Sequence, residues 1–418
     1  MQKLIVKGKK KLLGSINISG SKNATLPILA AALLSDKFIT LKNIPFVQDV
    51  YTMIKLLTFI GLKIKISKTL KTLKISSNKK LKTIAPYNLL KTMRAGVLVL
   101  GPLLAKYKKA KVSLPGGCAI GTRPVNLHLF ALEKLGAKIK IKNGYIHASA
   151  KNGLKGSIIK FPSISVGATE NAILAAVSAK GKTIISNCAI EPEIQDMIVF
   201  LKKLGCNINF VGKRKILIIG TKEFKSVSHE VIFDRIELGT YLIAAALTGK
   251  KIIFSKIKPN IIETEIKLLK KMGVRMKIDK NKITVFESGK INSVNIKTEP
   301  YPGFPTDLQA QIMVLMLKAS GTSKITENIF ENRLMHVPEL RRMGAKIITK
   351  NNTAFITGST NLSGAEVMAT DLRASVSLVL AALIAEKETT INRVYHLDRG
   401  YENLEKKLKK CKADITRV

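Results

Sequence analysis

Two patterns of hydrophobic and polar residues alternate along the chain. In the first, apolar residues occupy nearly every position over two or three helical turns, which predicts helices that are buried on all sides. In the second, a helix ends at a glycine and is followed by alternating apolar and polar residues, which predicts a strand with one buried face. The first pattern occurs six times, at residues 26–34, 97–105, 172–179, 238–247, 311–317 and 376–385.

The second pattern recurs about every 70 residues, a longer period than that of common solenoid repeats. A glycine at the end of the helix can adopt the left-handed conformation that closes it. Asn143-Gly144 and Asn351-Asn352 then turn the following strand back as a hairpin. The copies end at Gly61, Gly136, Gly205, Gly273 and Gly344, and a truncated copy lies near Cys411.

Together the two patterns define one repeat, which holds a buried helix, a glycine-ended helix and about four strands. Six such repeats predict an α/β protein made of two similar halves, with helices inside and sheets outside. Polar residues at the starts of the helices fall at equivalent positions in each repeat, so we expect them at one end of each half.

Length and composition allow a globular protein with more than one large core. The chain has 418 residues, of which 46% are hydrophobic. Its longest apolar stretches, such as 95–105, are shorter than the ~20 residues of a membrane-spanning helix. Residues 1–8 have the pattern of a strand and not of a signal peptide. We therefore expect a cytoplasmic protein that does not enter a membrane.

The formal net charge of +43 raises the alternative of a basic nucleic-acid-binding protein. The lysines, however, are spread along the whole chain. Aromatic residues make up only 5% of it and tryptophan is absent, so platforms for stacking bases are scarce. A lysine-rich surface on an ordinary enzyme, without a specific nucleic-acid partner, is the favoured interpretation.

The cysteines and histidines show no metal-binding spacing. The four cysteines form no C-x-x-C motif and the five histidines form no H-E-x-x-H motif. We therefore predict no metal site. Cys188 at a strand end and Cys206 at a strand start are expected to be structural.

A reactive cysteine is predicted in the loop at residues 114–124. Gly116, Gly117 and Gly121 surround Cys118 and would let the backbone approach a ligand closely. Arg123 adds positive charge that favours a thiolate. The pattern indicates a nucleophile or acid acting on an anionic substrate, and the alternative is an idle cysteine in a glycine-rich turn.

Arginines mark the predicted helix starts and the loops near them. Only 12 of the 71 basic residues are arginine, so each arginine suggests a need for two-point contact with a carboxylate or phosphate. Helix starts also favour anions, which predicts an anion-binding cleft. Asp234 and Glu191 are expected only to cap helices, and Arg341, Arg342 and Arg417 to be surface charges. The five arginines assigned to the cleft are Arg94, Arg123, Arg333, Arg373 and Arg399.

With these residues in view, the chain resembles the enolpyruvyl transferase family along essentially its whole length. The resemblance implies an inverse α/β barrel fold with two domains of three repeats, at 22–231 and at 1–21 plus 232–418, and an active site in the cleft between them. The segments that carry it are 20–24, 93–95, 114–124, 165–169, 302–307, 330–336, 371–375 and 396–400.

The resemblance also implies an activity. The enolpyruvyl group of phosphoenolpyruvate would be transferred to the 3′-hydroxyl of UDP-N-acetylglucosamine, with release of phosphate, in the first committed step of peptidoglycan synthesis. Neither a cofactor nor a metal would be required, and we expect a monomer. Shikimate 3-phosphate as the acceptor and a folded but inactive scaffold remain alternatives.

Roles for individual residues follow from the same resemblance. Cys118 would be the general acid, able to form a covalent adduct and to react with fosfomycin, and Asp307 would be the base. Asp371, Arg333 and Arg373 would assist catalysis. Phosphoenolpyruvate would be held by Lys22, Arg123 and Arg399. The nucleotide sugar would contact Asn23, Arg94, Arg123, Pro124, Val125, Asn126, Leu127, Ser163, Ile164, Ser165, Val166, Asp307 and Ile329.

Overall fold

The structure is a computed structural model that describes residues 2–77, 81–116 and 125–418. Helices and strands alternate along this part of the chain. The α-helices are α1 Lys22–Ala31, α2 Gln48–Ile60, α3 Tyr87–Leu90, α4 Leu100–Tyr107, α5 Asn126–Lys134, α6 Val166–Ala176, α7 Pro192–Lys203, α8 Arg235–Thr248, α9 Glu263–Lys271, α10 Gln309–Lys318, α11 Val337–Arg342, α12 Leu372–Ile384, α13 Tyr395–Asp398 and α14 Leu404–Lys410. The 3₁₀-helices are Ala32–Leu34, Arg94–Val99, Pro259–Ile262 and Thr306–Leu308.

The strands are short, as expected for repeats of this length. They are β1 Leu4–Lys7, β2 Leu12–Ser15, β3 Ile39–Lys42, β4 Leu62–Ser67, β5 Thr72–Ser77, β6 Ile84–Ala85, β7 Lys109–Ser113, β8 Lys138–Lys142, β9 Tyr145–Ser149, β10 Ile158–Lys160, β11 Lys182–Ser186, β12 Asn207–Gly212, β13 Lys215–Ile219, β14 Val227–Glu230, β15 Gly249–Ser255, β16 Met276–Asp279, β17 Lys282–Phe286, β18 Asn295–Lys297, β19 Thr322–Thr326, β20 Ile347–Lys350, β21 Thr353–Thr357, β22 Glu366–Met368, β23 Thr389–Asn392 and β24 Asp414–Arg417.

In the described part of the chain, these strands form six four-stranded sheets with one shared topology. In each sheet one outer strand runs parallel to its neighbour and the other two pairs are antiparallel. The shared topology confirms the α/β fold class and the sixfold repeat. The strand orders are β14-β3-β5-β4, β6-β7-β9-β8, β10-β11-β13-β12, β2-β15-β17-β16, β18-β19-β21-β20 and β22-β23-β1-β24.

The described residues divide into two compact units. One comprises 20–77, 81–116 and 125–232 and is called the Lys22 unit; the other comprises 2–19 and 233–418 and is called the Asp307 unit. Each unit contains three of the sheets and has its own hydrophobic core.

Two strands belong to a different unit from the helix that follows them in the chain. Strand β2 precedes α1 of the Lys22 unit in the chain, but it pairs with β15 of the Asp307 unit, where Ser15 lies opposite Ile253. Conversely, β14 precedes α8 of the Asp307 unit but pairs with β3, where Val227 lies opposite Ile39. The first repeat is therefore completed by β14 and the fourth by β2, and each of these strands is distant in sequence from the repeat it completes.

The six predicted apolar segments form the buried helices α1, α4, α6, α8, α10 and α12. In α8 every residue from Arg235 to Thr248 is buried, as a helix that is apolar on all sides requires. The glycines that follow the amphipathic helices take positive φ, for example 126° at Gly61 and 92° at Gly136, which confirms their predicted role. At the sixth position Lys412 takes φ 72° in place of a glycine.

Some local predictions need correction. Arg94 begins a 3₁₀-helix instead of an α-helix, and Asp307 lies in another. Asp234 caps α8 as predicted, since its carboxylate accepts from the N–H of Ile236 and Glu237. Glu191 precedes α7, but its side chain makes no capping bond within the described part of the chain.

Cys188 and Cys206 are buried beside their strands, in agreement with a structural role. Burial raises the pKa of the Cys188 thiol to about 11 and that of the Cys206 thiol to about 12. Both thiols are therefore protonated and unreactive at neutral pH.

Candidate active site

The predicted site residues are divided between the two units. Cys118, Arg123 and Pro124 lie outside the described residues. The Lys22 unit carries Lys22, Asn23, Arg94, Val125, Asn126, Leu127, Ser163, Ile164, Ser165 and Val166, whereas the Asp307 unit carries Asp307, Ile329, Arg333, Asp371, Arg373 and Arg399.

Lys22 is the first residue of α1 and is held by a buried ion pair. The hydroxyl of Ser21 caps the helix by accepting from the N–H of Ala24. The ammonium Nζ of Lys22 lies 3.2 Å from Oδ2 of Asp49, and both side chains are almost completely buried. A buried cation of this kind requires a countercharge, so Asp49 fixes the lysine in place.

Sequence reasoning missed Asp49, although the repeat contains a signal for it. Asp49 lies in the first turn of α2, the helix that follows the buried one. At the equivalent place in the fourth repeat, Glu265 in the first turn of α9 lies 3.7 Å from Arg235, the first residue of α8. A cation at the start of the buried helix is thus matched to a carboxylate at the start of the next.

The predicted nucleotide-sugar residues of the Lys22 unit lie at helix starts. Asn126 begins α5, and Val166 begins α6 after the cap residue Ser165, whose hydroxyl accepts from the N–H of Ala168 at 3.3 Å. Arg94 is half-buried at the start of its 3₁₀-helix. Asn23 is half-buried on α1, whose other residues are buried.

In the Asp307 unit, the Asp307 carboxylate is bound by two guanidinium groups. Nη2 of Arg333 lies 2.7 Å from Oδ1, and Nη2 of Arg373 lies 3.0 Å from Oδ2. Both arginine side chains are buried, whereas 27% of the Asp307 side chain is exposed. The structure thus brings three predicted site residues together around a carboxylate that a substrate can still reach.

Arg373 is positioned by its helix and by a tyrosine. Asp371 caps α12, since its Oδ1 accepts from the N–H of Arg373 at 2.8 Å and of Ala374 at 3.2 Å. Nη1 of Arg373 donates to the hydroxyl of Tyr401 at 3.2 Å, and that hydroxyl lies 2.9 Å from Oγ1 of Thr240. Burial acts to lower the pKa of Arg373, but Asp307 and Tyr401 outweigh it and raise the pKa overall.

Glu327 positions Asp307 and Ile329 and was not predicted from the sequence. It follows β19 and is 2% exposed. Its Oε2 accepts from the hydroxyl of Thr306, the neighbour of Asp307, at 2.9 Å. Its Oε1 accepts from the N–H of Ile329 at 2.8 Å, and also from Phe330 and Thr298. Because glutamate is common on surfaces, nothing in the sequence distinguishes this one.

Arg399 is half-buried and follows α13. The preceding residue, Asp398, receives both ends of the Arg417 guanidinium, at 2.9 Å to Oδ2 and 2.7 Å to Oδ1. Arg417 also reaches Glu405 at 3.2 Å. The expectation that Arg417 is an ordinary surface charge is therefore wrong, because it ties the segment before Arg399 to β24.

The basic side chains around Lys22 in one unit and around Asp307 in the other favour anionic ligands. Lysine and arginine side chains at helix starts bind phosphate and carboxylate groups. Across residues 2–77, 81–116 and 125–418, no group of three His, Cys, Asp or Glu side chains is placed to hold a metal ion. Over the same residues, every helix is too short or too polar to cross a lipid bilayer.

Comparison with known proteins shows which family the chain belongs to. The model of the EPSP synthase (3-phosphoshikimate 1-carboxyvinyltransferase) family matches residues 6–408. The chain is 60% identical to the UDP-N-acetylglucosamine 1-carboxyvinyltransferase of Pelagibacter ubique (strain HTCC1062) over 418 residues, which cover 100% of both chains. It is 52% identical to the enzyme of the same name from Endomicrobium trichonymphae, covering 99% of each.

Solved structures with the same fold are more distant in sequence. The enolpyruvyl transferase NikO from Streptomyces tendae superposes with a TM-score of 0.92 at 23% identity, covering 100% of this chain and 99% of NikO. EPSP synthase from Acinetobacter baumannii superposes with a TM-score of 0.79 at 16% identity, covering 100% of each chain. At these identities the likeness establishes the fold.

Proposed function

The chain belongs to the EPSP synthase family of enolpyruvyl transferases, and from that premise we propose that it transfers the enolpyruvyl group of phosphoenolpyruvate to the 3′-hydroxyl of UDP-N-acetylglucosamine. The observation that carries this choice of acceptor is the 60% identity, over the full length, with a relative named for that reaction. Shikimate 3-phosphate is a weaker alternative, because the solved EPSP synthase is only 16% identical.

We assign the binding of phosphoenolpyruvate to Lys22, Arg123 and Arg399. A ligand with both a phosphate and a carboxylate needs several cations, and a guanidinium can bind either group at two points. The burial of Lys22 against Asp49 supports this assignment, because it holds one ammonium group in a defined position. Since Lys22 and Arg399 belong to different units, both units would contribute to the reaction.

The proposed reaction is an addition followed by an elimination. Cys118 donates a proton to the methylene carbon of phosphoenolpyruvate, and the sugar hydroxyl attacks the neighbouring carbon while Asp307 accepts its proton. The bond between carbon and the phosphate oxygen then breaks and phosphate leaves, while a proton of the new methyl group returns to the Cys118 thiolate and the carbon–carbon double bond forms again. Cations near the carboxylate and phosphate stabilise charge as it develops.

The contacts of Asp307 support its role as the base. Arg333 and Arg373 approach its two oxygens from buried positions and fix the plane of the carboxylate. The exposed quarter of the side chain leaves a path for the sugar hydroxyl. A fixed, accessible carboxylate is what proton transfer over hydrogen-bond distance requires.

The decisive test is release of phosphate from phosphoenolpyruvate with each acceptor in turn. We expect release with UDP-N-acetylglucosamine and none with shikimate 3-phosphate. The Cys118→Ser variant is the matched control, because it changes one atom and should reduce release strongly. Release only with shikimate 3-phosphate would reverse the assignment, and release with neither acceptor would identify an inactive scaffold.

We propose a cytoplasmic monomer that does not bind nucleic acid specifically. Light scattering after gel filtration tests the oligomeric state. Binding of RNA that persists at physiological salt would contradict the nucleic-acid statement, because nonspecific electrostatic binding weakens steeply as salt increases.

A further inference from the structure

His128 lies where three predicted nucleotide-sugar segments meet and has no role in the reaction steps proposed above. It belongs to the first turn of α5, directly after residues 125–127, and its side chain is 9% exposed. Its ring faces the start of α6, which follows residues 163–165. Arg94 is near enough to affect its pKa.

Asn171 determines which ring nitrogen of His128 carries the proton. The orientation of the Asn171 amide is fixed, because Oδ1 accepts from the N–H of Gly101 at 2.8 Å and Nδ2 donates to the carbonyl of Val97 at 3.1 Å. The same Nδ2 lies 3.2 Å from Nδ1 of His128. Since Nδ2 can only donate, Nδ1 must accept, and the proton of the neutral ring is on Nε2.

The Nε2 edge of the ring is directed at the first turn of α6. A β-carbon built on Gly167 would lie 3.1 Å from Cε1 and 3.2 Å from Nε2 of His128, so only a glycine leaves this edge uncovered. Among the described residues, Asn171 is the only hydrogen-bond partner of the ring. The Nε2–H donor is therefore unpartnered in the described part of the chain although the side chain is nine-tenths buried.

The backbone beside this donor offers two more. Ser165 satisfies the N–H groups of Ala168 and Thr169. No described residue accepts from the N–H of Val166 or Gly167, as is usual at the start of a helix. Three N–H donors thus lie together at the positive end of the α6 dipole, an arrangement that suits an anion.

The ring donates without carrying a charge of its own. Burial, together with the charge of Arg94, lowers the pKa of His128 to about 4, so the ring is neutral at neutral pH. Its contribution to anion binding is a directed hydrogen bond, and Arg94 supplies the positive charge nearby.

We propose that His128 is a further ligand of the nucleotide sugar, whose Nε2–H donates to the diphosphate beside the N–H groups of Val166 and Gly167. The inference rests on the proposed function, because the diphosphate belongs to UDP-N-acetylglucosamine. It adds a residue that neither the sequence patterns nor the family resemblance assigned.

Two substitutions separate the donor from the structural contact. In His128→Asn the amide occupies the position of Nδ1 and can still accept from Asn171, but the donor at Nε2 is lost. In His128→Gln the amide reaches the position of Nε2 and keeps a donor, but the bond to Asn171 is lost. His147→Asn, in β9 of the same unit, is the matched control.

The readouts are the dissociation constants of UDP-N-acetylglucosamine and UDP, the KM of phosphoenolpyruvate, and the melting temperature. We expect His128→Asn to raise the dissociation constants of both nucleotides by about tenfold to a hundredfold, the effect of losing one hydrogen bond to a charged group, with an unchanged KM for phosphoenolpyruvate. His128→Gln should bind within about twofold of the wild type but melt at a lower temperature, because one N–H of the buried Asn171 amide loses its acceptor.

If His128 has a purely structural role, the order of the two nucleotide affinities is reversed. Affinity would then follow stability, and His128→Gln would bind the nucleotides more weakly than His128→Asn. That order, or wild-type affinity in His128→Asn, would overturn the inference. The wild-type protein tests the proposed function separately. If it fails to bind UDP-N-acetylglucosamine, the proposed acceptor is wrong whatever the variants do.

Discussion

Glu327 offers a test of how the Asp307 unit holds its site residues. Glu327→Gln keeps the size of the side chain but replaces a buried carboxylate by a neutral amide. One oxygen of Glu327 accepts from Ile329, Phe330 and Thr298, and the other accepts from Thr306. In the variant the amide NH₂ can accept nothing, so either the three bonds or the bond from Thr306 must be lost or reversed.

The loss of stability in Glu327→Gln follows from these four hydrogen bonds. A hydrogen bond to a charged group contributes about 1.5–3 kcal/mol and a neutral one about 0.5–1.5 kcal/mol, so the four bonds lose about 4 kcal/mol together. Burying a neutral amide is less unfavourable than burying a carboxylate, which offsets part of this loss. We therefore expect a net destabilisation of about 2 kcal/mol.

Thermal unfolding measures this change. For a unit of this size, 2 kcal/mol corresponds to a decrease in melting temperature of about 4–8 °C. The KM for UDP-N-acetylglucosamine should also rise, because either Ile329 or Thr306, the neighbour of Asp307, loses its anchor. Glu331→Gln, at an exposed position four residues later, is the matched control and should change neither quantity.

The reasoning is refuted if Glu327→Gln melts within about 1 °C of the wild type. It is refuted as well if the melting temperature falls and the KM for the nucleotide sugar stays constant. In that case Glu327 stabilises the unit without positioning the site.

Three further predictions concern the pH dependence of stability, the reactivity of the thiols and the contact between Arg417 and Asp398. Burial lowers the pKa of both His128 and His336 to about 4, below the value near 6.5 of the unfolded chain. The stability present above about pH 6.5 should therefore be lost between about pH 6.5 and 4, by about 3 kcal/mol per histidine. Urea midpoints at several pH values measure this loss, and an equal pH slope in His128→Gln and the wild type would contradict it. Fosfomycin with UDP-N-acetylglucosamine should add one adduct to the native protein and none to Cys118→Ser, since burial raises the pKa of the other three thiols; an intact-mass spectrum with several adducts would show that burial does not protect them. Finally, Arg417→Lys keeps the charge but loses the two-point contact with Asp398, so we expect a KM for phosphoenolpyruvate that is raised a fewfold, and steady-state kinetics in which only the KM of the nucleotide sugar changes would argue against this positioning role.

Much of the architecture could be predicted from the sequence because it depends on local patterns. Segments that are apolar on every face can only be buried, and a glycine after an amphipathic helix closes it at Gly61, Gly136 and the later copies. The pairing of β2 with β15 and of β14 with β3 could not be predicted from these local patterns, because strand pairing is a long-range choice among strands of similar pattern.

The candidate site was also predicted from the sequence only in part. Scarce arginines in a lysine-rich chain pointed to Arg333 and Arg373, because a guanidinium is used where two-point contact matters. Their convergence on Asp307, 26 and 66 positions away in the chain, is decided only by the packing of separate repeats.

The residues that sequence reasoning missed all act through tertiary contacts. Asp49, Glu327 and His128 lie outside the motifs that the sequence patterns single out, and each acquires its role from partners that folding brings to it. Sequence alone determined which segments are buried and which residue types can bind anions. Only the tertiary structure decided which of them meet, because the free energy of a hydrogen bond or an ion pair depends on distance and burial, and folding creates both.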